Sequence, residues 1–135
     1  MSADIAAHYA AVIALLPAGL TQYKGVVPDN PTYPYVVIWG DTGKEDSEAL
    51  SDDPSTLTLK VYATCAGLSF DSVAIALKLV RTALNRARPV VAGRVAYRMV
   101  QSPQQPIQAD LGISLPGIGH PFYAVDQYDL TSDSA

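Results

Sequence analysis

The sequence predicts an α+β fold: a mostly antiparallel or mixed sheet of about four strands with two helices packed on it, an α/β sandwich. Three observations predict it. Two segments, about 2–16 and 70–87, repeat apolar residues at helical spacing. Residues 55–65 alternate apolar and polar with the period of a half-covered strand. The order is helix, strand, acidic loop, strand, helix, strand, long loop, strand, so strand-to-strand steps dominate and a doubly wound parallel sheet fits less well. The 135 residues suit a single domain over 1–135, large enough to bury a core without disulfides or metal.

The first helix rests on Ile5, Tyr9, Val12, Ile13 and Leu16, with Ser2 or Asp4 at its amino end and Pro17 and Gly19 as its stop. Ala6, Ala7, Ala10, Ala11 and Ala14 fill the remaining circumference and let a neighbour approach closely. Residues 17–33, broken by prolines and glycines, read as an irregular connection. Tyr35-Val36-Val37-Ile38-Trp39 is a short run of strand formers closed by Gly40. A polar loop over about 41–54 follows, with Asp41, Glu45, Asp46, Glu48, Asp52 and Asp53 against Lys44 alone; such density keeps a loop extended and wet.

In the next strand Leu57, Leu59, Val61, Ala63 and Cys65 face one way and Thr56, Thr58, Lys60, Tyr62 and Thr64 the other. Ser69 is a suitable cap for the second helix, whose stripe is Phe70, Val73, Ala74, Leu77, Val80 and Leu84. Asp71 near its amino end and basic residues near its carboxyl end suit the helix dipole, and Pro89 terminates it. Two more strands are expected, about 93–101 and 120–130. They are separated by a Pro/Gly-rich loop at about 101–119 and followed by a frayed tail, 131–135.

Composition narrows the function classes. Hydrophobic residues make up 49% and charged residues 16%, which leaves few charges to cover a surface and suggests apolar area reserved for neighbouring subunits. Eight tyrosines point the same way, because each offers an apolar face with a polar tip. A lone cysteine, Cys65, excludes an intramolecular disulfide, and no apolar run reaches the ~20 residues of a membrane span. The amino terminus has no secretory pattern, so a reducing cytoplasm is the expected site of synthesis.

Catalytic motifs are absent. His8, His120 and Cys65 lie far apart with nothing in the sequence to unite them, and each is more simply structural. There are no paired cysteines, no His-Glu-x-x-His, no calcium-loop spacing and no phosphate-binding loop, so neither metal nor cofactor is expected. Charge is more informative: residues 72–109 hold Lys78, Arg81, Arg86, Arg88, Arg94 and Arg98 without one acid, in a chain of net charge −4. This basic stretch could face nucleic acid, the acidic loop of another copy, or only solvent. Overall acidity argues against tight nucleic-acid binding and favours the second reading slightly.

The order and size of these elements resemble a known family. Pro34-Tyr35-Val36-Val37-Ile38 after a short helix, the Leu57–Thr64 strand, the 70–87 helix, Arg94-Val95-Ala96-Tyr97-Arg98 and the closing Tyr123–Leu130 strand are together similar to the tail terminator (tail completion) proteins of long-tailed bacteriophages and prophages. The similarity is a pattern of elements over most of the chain. It implies a non-enzymatic virion protein of the tail and neck, assembled in the bacterial cytoplasm. Such a protein forms a ring, hexameric in that family, that ends tail-tube growth and presents a head-joining surface. The implied partners are other copies of the chain, the tail tube protein and a head–tail connector or stopper, with DNA only as cargo in the lumen and no membrane. On this reading Arg81, Arg86, Arg88, Arg94 and Arg98, and Glu45, Asp46, Glu48, Asp52 and Asp53, are interface or lumen residues. The alternatives are another neck adaptor or, further off, a small nucleic-acid-binding module for which Tyr97 between Arg94 and Arg98 is the only hint.

Overall fold

A computed structural model of the chain describes residues 3–46 and 56–135. The elements are α1 (Ile5–Leu15), β1 (Thr21–Lys24), β2 (Tyr35–Gly40), β3 (Lys44–Asp46), β4 (Thr56–Gly67), α2 (Phe70–Leu84), β5 (Arg94–Ala96), β6 (Val100–Ala109) and β7 (Phe122–Ser134). The strands form one curled sheet in the order β1-β2-β4-β7-β5. β3 pairs with β4 beyond the end of β2, and β6 pairs with β7 beyond the end of β5. Among the described strands β1 and β2 alone run parallel. This is the mixed, mostly antiparallel sheet with two helices that the sequence predicts, with more strand segments than the four expected.

The register of β4 with β7 explains the layering. Leu57, Leu59, Val61, Ala63 and Cys65 stand opposite Ser132, Leu130, Tyr128, Asp126 and Ala124, and all ten residues are buried. Val36 and Ile38 extend the same face through β2. On it lie Val73, Ala76, Leu77, Val80 and Leu84 of α2 and Val12 of α1, completing one apolar core. Burial of this core is the main force holding the helices to the sheet. Both helix starts are capped, Asp4 accepting from the Ala7 N–H and Ser69 from the Ser72 N–H. Gly40 is required by close approach: a Cβ there would meet the Tyr9 hydroxyl and the Lys60 carbonyl.

Five expectations need correction. The connection 17–33 contains β1, and the segment around Lys44–Asp46 pairs with β4 as β3. The expected loop at 101–119 is loop only beyond Ala109; β6 occupies the rest despite Pro103 and Pro106. An edge strand needs donors on its inner side alone, and register shifts between Pro103 and Gln105 and between Gln105 and Gln108 absorb the prolines. The tail 131–134 is not frayed: it continues β7, where Ser134, Asp133 and Ser132 pair with Arg94, Val95 and Ala96. Finally, α2 stops at Leu84 because Arg86 turns to a φ of 65° and its N–H bonds the Met99 carbonyl.

Candidate functional site

The residues with catalytic chemistry are structural in their surroundings. Cys65 is buried in the core, and desolvation pushes its thiol up to about 12, which leaves it protonated and inert. His8 is fully buried between α1 and β7; its Nδ1 donates to the Asp4 carbonyl at 2.6 Å and its Nε2 lies 2.7 Å from the Ser132 hydroxyl. A histidine beside a serine suggests a nucleophile and base, but Ser132 is fully buried too, so no substrate reaches it. Arg94 instead fastens that serine, donating from Nε to its hydroxyl and from Nη2 to its carbonyl. His120 Nδ1 donates to the Ile113 carbonyl and braces the 110–121 loop. Among the described residues no group of three or more His, Cys, Asp or Glu side chains could hold a metal ion, and no helix is long and apolar enough to cross a membrane.

A buried polar device ties α2 to the sheet. Asp126 is 1% exposed on the covered face of β7, and Arg81 forks onto it with Nε at 2.6 Å and Nη2 at 2.8 Å. Gln101 adds a third donor at 3.3 Å. The hydrogen bond from the guanidinium to this carboxylate raises the Arg81 pKa above its ordinary value. Arg81 therefore serves the fold first.

The other candidate charges separate onto opposite flanks of the sheet. Glu45 and Asp46 stand exposed on β3, with Glu45 accepting from the Ala3 N–H. Glu48, Asp52 and Asp53 fall outside the described residues. Arg86, Arg88 and Arg98 are exposed beside β5 and the carboxyl end of α2, with Arg98 Nη1 donating to the Arg86 carbonyl. β4 and β7 stand between the two flanks, which puts their backbones about 14 Å apart at the usual strand spacing. Ion pairs among the described residues are Lys44–Asp46 and Arg81–Asp126, so within that set Arg86, Arg88 and Arg98 have no carboxylate partner in their own chain.

The face of the sheet away from the helices carries groups that sequence reading did not single out. Trp39 stacks on Tyr62 with ring centroids 4.5 Å apart, and its Nε1 donates to Thr64. At the end where β4 finishes and β7 begins, Tyr35, Val37 and Ala66 form a second small cluster with Tyr23, Val27, Tyr33 and Tyr123. Tyr33, Tyr35, Val27, Ile113 and Leu115 line an open hollow of about 280 Å³ there, with Asp29 at its rim. The only signal in the sequence was the excess of tyrosine. Lys60 on this face stands opposite Asp129, and the Tyr97 hydroxyl donates to Asp133, so acids interrupt any basic, aromatic nucleic-acid surface.

Comparison with known proteins is informative at the level of fold. No protein-family model matches the chain, and no curated protein matches it. Among solved structures, a chain in the virion of the native gene transfer agent particle superposes with a TM-score of 0.61 and 18% identity, over 99% of this chain and 100% of that one. At that identity the likeness concerns the fold.

Proposed function

We infer that this chain is a structural virion protein of the tail region, a tail terminator that assembles as a ring, ends tube polymerisation and presents the surface to which the head connector joins. The observation that carries this reading is the end-to-end likeness to a chain of a virion particle. The charge layout supports it. Acids on one flank and, on the other, Arg86, Arg88 and Arg98 with no carboxylate partner among the described residues favour a heterologous, head-to-tail contact, which closes into a ring when the rotation allows.

Electron microscopy of tail tubes assembled with and without the protein tests this reading. The expected result is density at one end of each tube and an arrest of lengthening. Charge reversal of Arg86 and Arg98 together should reduce capping at least tenfold, with the deficit growing as salt falls and repulsion strengthens. Bare tube ends and an unchanged length distribution would overturn the terminator. Binding to connector rings in place of tubes would reassign the protein to another position in the neck.

A further inference from the structure

The tyrosine hollow on the open face takes its walls from two separate connections. Val27, Tyr33 and Tyr35 come from the segment that leads from β1 into β2, and Ile113 and Leu115 from the loop that follows β6, which His120 braces. The rings of Tyr33 and Tyr35 lie 5.3 Å apart at a tilt of 49°, and Tyr23 meets Tyr35 edge-on at 5.4 Å. Two of the tyrosine hydroxyls in this cluster are engaged: that of Tyr23 accepts from the Thr32 N–H and that of Tyr123 from the Gln108 side-chain amide. The hydroxyls of Tyr33 and Tyr35 have no hydrogen-bond partner among the described residues.

The charge around this hollow is of one sign. Asp29 lines it, exposed and without an ion pair among the described residues. Asp110 stands close by: burial and then its charge raise the Tyr33 phenol, and burial, Tyr33 and Asp110 in that order push Tyr35 up to about 12. No lysine or arginine is among the lining residues. Lys24, the nearest in sequence, pairs with Ile38 on the other face and lines a different hollow with Tyr9. Arg98 of the same chain is out of reach, because it follows Tyr97, whose N–H bonds the Thr131 carbonyl. Along β7, Thr131 is separated from Tyr123, at the tyrosine end, by about 27 Å at the usual rise per residue.

Size and chemistry together select an occupant. The hollow, about 280 Å³, falls just below the range of small-molecule pockets, which begins at about 300 Å³, and suits one inserted side chain. Tyrosine faces attract cations, and a guanidinium adds a plane that stacks on them and a fork that fits a carboxylate. Its apolar stem would pack on Val27, Ile113 and Leu115. An anionic ligand would meet Asp29 and Asp110, and a purely apolar one would leave Asp29 and both hydroxyls unused. We propose that the hollow is a binding site for an arginine side chain presented by a different protein, with the guanidinium against the tyrosine rings and Asp29. The net charge of −4 repels a second copy at long range and draws a basic partner. The site goes beyond the terminator reading and stands without it.

Nuclear magnetic resonance titration of the full chain tests it, with an acetylated and amidated Gly-Arg-Gly peptide as the probe. The comparison peptide carries citrulline, which keeps the shape of the guanidinium and loses its charge. The arginine peptide should shift the ring signals of Tyr33 and Tyr35 and bind about tenfold more tightly than the citrulline peptide. Asp29→Asn replaces an exposed residue, so it should keep the melting temperature and weaken arginine binding about threefold. Tyr33→Leu keeps apolar bulk without the ring and should also weaken it; if this variant fails to fold, Asp29→Asn decides. Equal affinity for the two peptides, or undiminished binding by Asp29→Asn, would overturn the site. Sedimentation of the native chain tests the source of the arginine. Self-association that the arginine peptide or Asp29→Asn abolishes would place a second copy's arginine in the hollow and overturn the choice of a different protein. An oligomeric state unmoved by both is the expected result.

Discussion

The two faces of the sheet do different work with the same strands. On the covered face, alternate residues of β4 and β7 are buried beneath the helices, and two polar groupings, the Arg81–Asp126 pair and Ser132 with His8 and Arg94, interrupt the apolar layer. On the open face the intervening residues are mainly threonines, tyrosines and scattered charges, joined by Trp39 from β2, with the small tyrosine cluster at one end. Stability should concentrate on the first face, and the second is left open for contacts with other molecules. The difference teaches that β4 encodes two properties in one alternation, its odd-numbered positions packing the core and its even-numbered positions composing a surface.

The largest test of this contrast is Asp126→Ala. Removing one member of a buried ion pair strands the other and leaves unmet donors, so unfolding stability should fall by about 3–5 kcal/mol. Urea denaturation followed by circular dichroism reads it. Arg81 is partly exposed, so it can turn outward to water and bring the loss toward the lower end of that range. A loss under about 1 kcal/mol, the range of exposed pairs, would mean that Asp126 contributes no more than a surface carboxylate, and the contrast between faces would collapse.

A smaller effect is expected from Trp39→Ala. Trp39 is 41% exposed and its ring contact is with Tyr62 on the open face, so the lost stacking should lower stability by about 0.5–1.5 kcal/mol. The same measurement serves, and a loss as large as that of Asp126→Ala would show that the open face carries core-like weight.

Legibility in the sequence follows the same division. β4 and α2 were readable because burial on one side imposes a period, two in the strand and near four in the helix, that survives in a single sequence. β6 was not: Pro103 and Pro106 announce a loop to any local rule, and only the presence of β7 on one side makes an edge strand of them. The end of β7 was lost for a related reason. Ser132 and Ser134 break the apolar alternation, and their places are set by Arg94, which is remote in the chain and bonds both. The separation of acidic and basic segments was visible in the sequence, whereas their assignment to opposite flanks depends on strand order. Nothing local links Arg81 to Asp126, which lie 45 positions apart in the chain.

The finest test concerns Asp133, a carboxylate on the open face where the tail of β7 meets β4. The Thr56 hydroxyl and the Tyr97 hydroxyl both donate to it, and these bonds, with the nearby Arg94, hold its pKa below the ordinary 3.8. The folded chain therefore binds a proton here less readily than the unfolded chain does. Its contribution to stability is whole above the ordinary value and is lost as pH falls through the depressed one. Asp133→Asn keeps an acceptor without the titration, so stability measured from pH 5 down to pH 2 should decline less steeply in the variant than in the native protein. Because Asp133 lies at the surface and is only partly covered, solvent screens these interactions and the difference in slope should be the smallest of the three effects. Parallel slopes would show that the hydroxyls do not favour the ionised form. A difference rivalling the loss in Asp126→Ala would move a share of the stabilising electrostatics from the covered face to the open one.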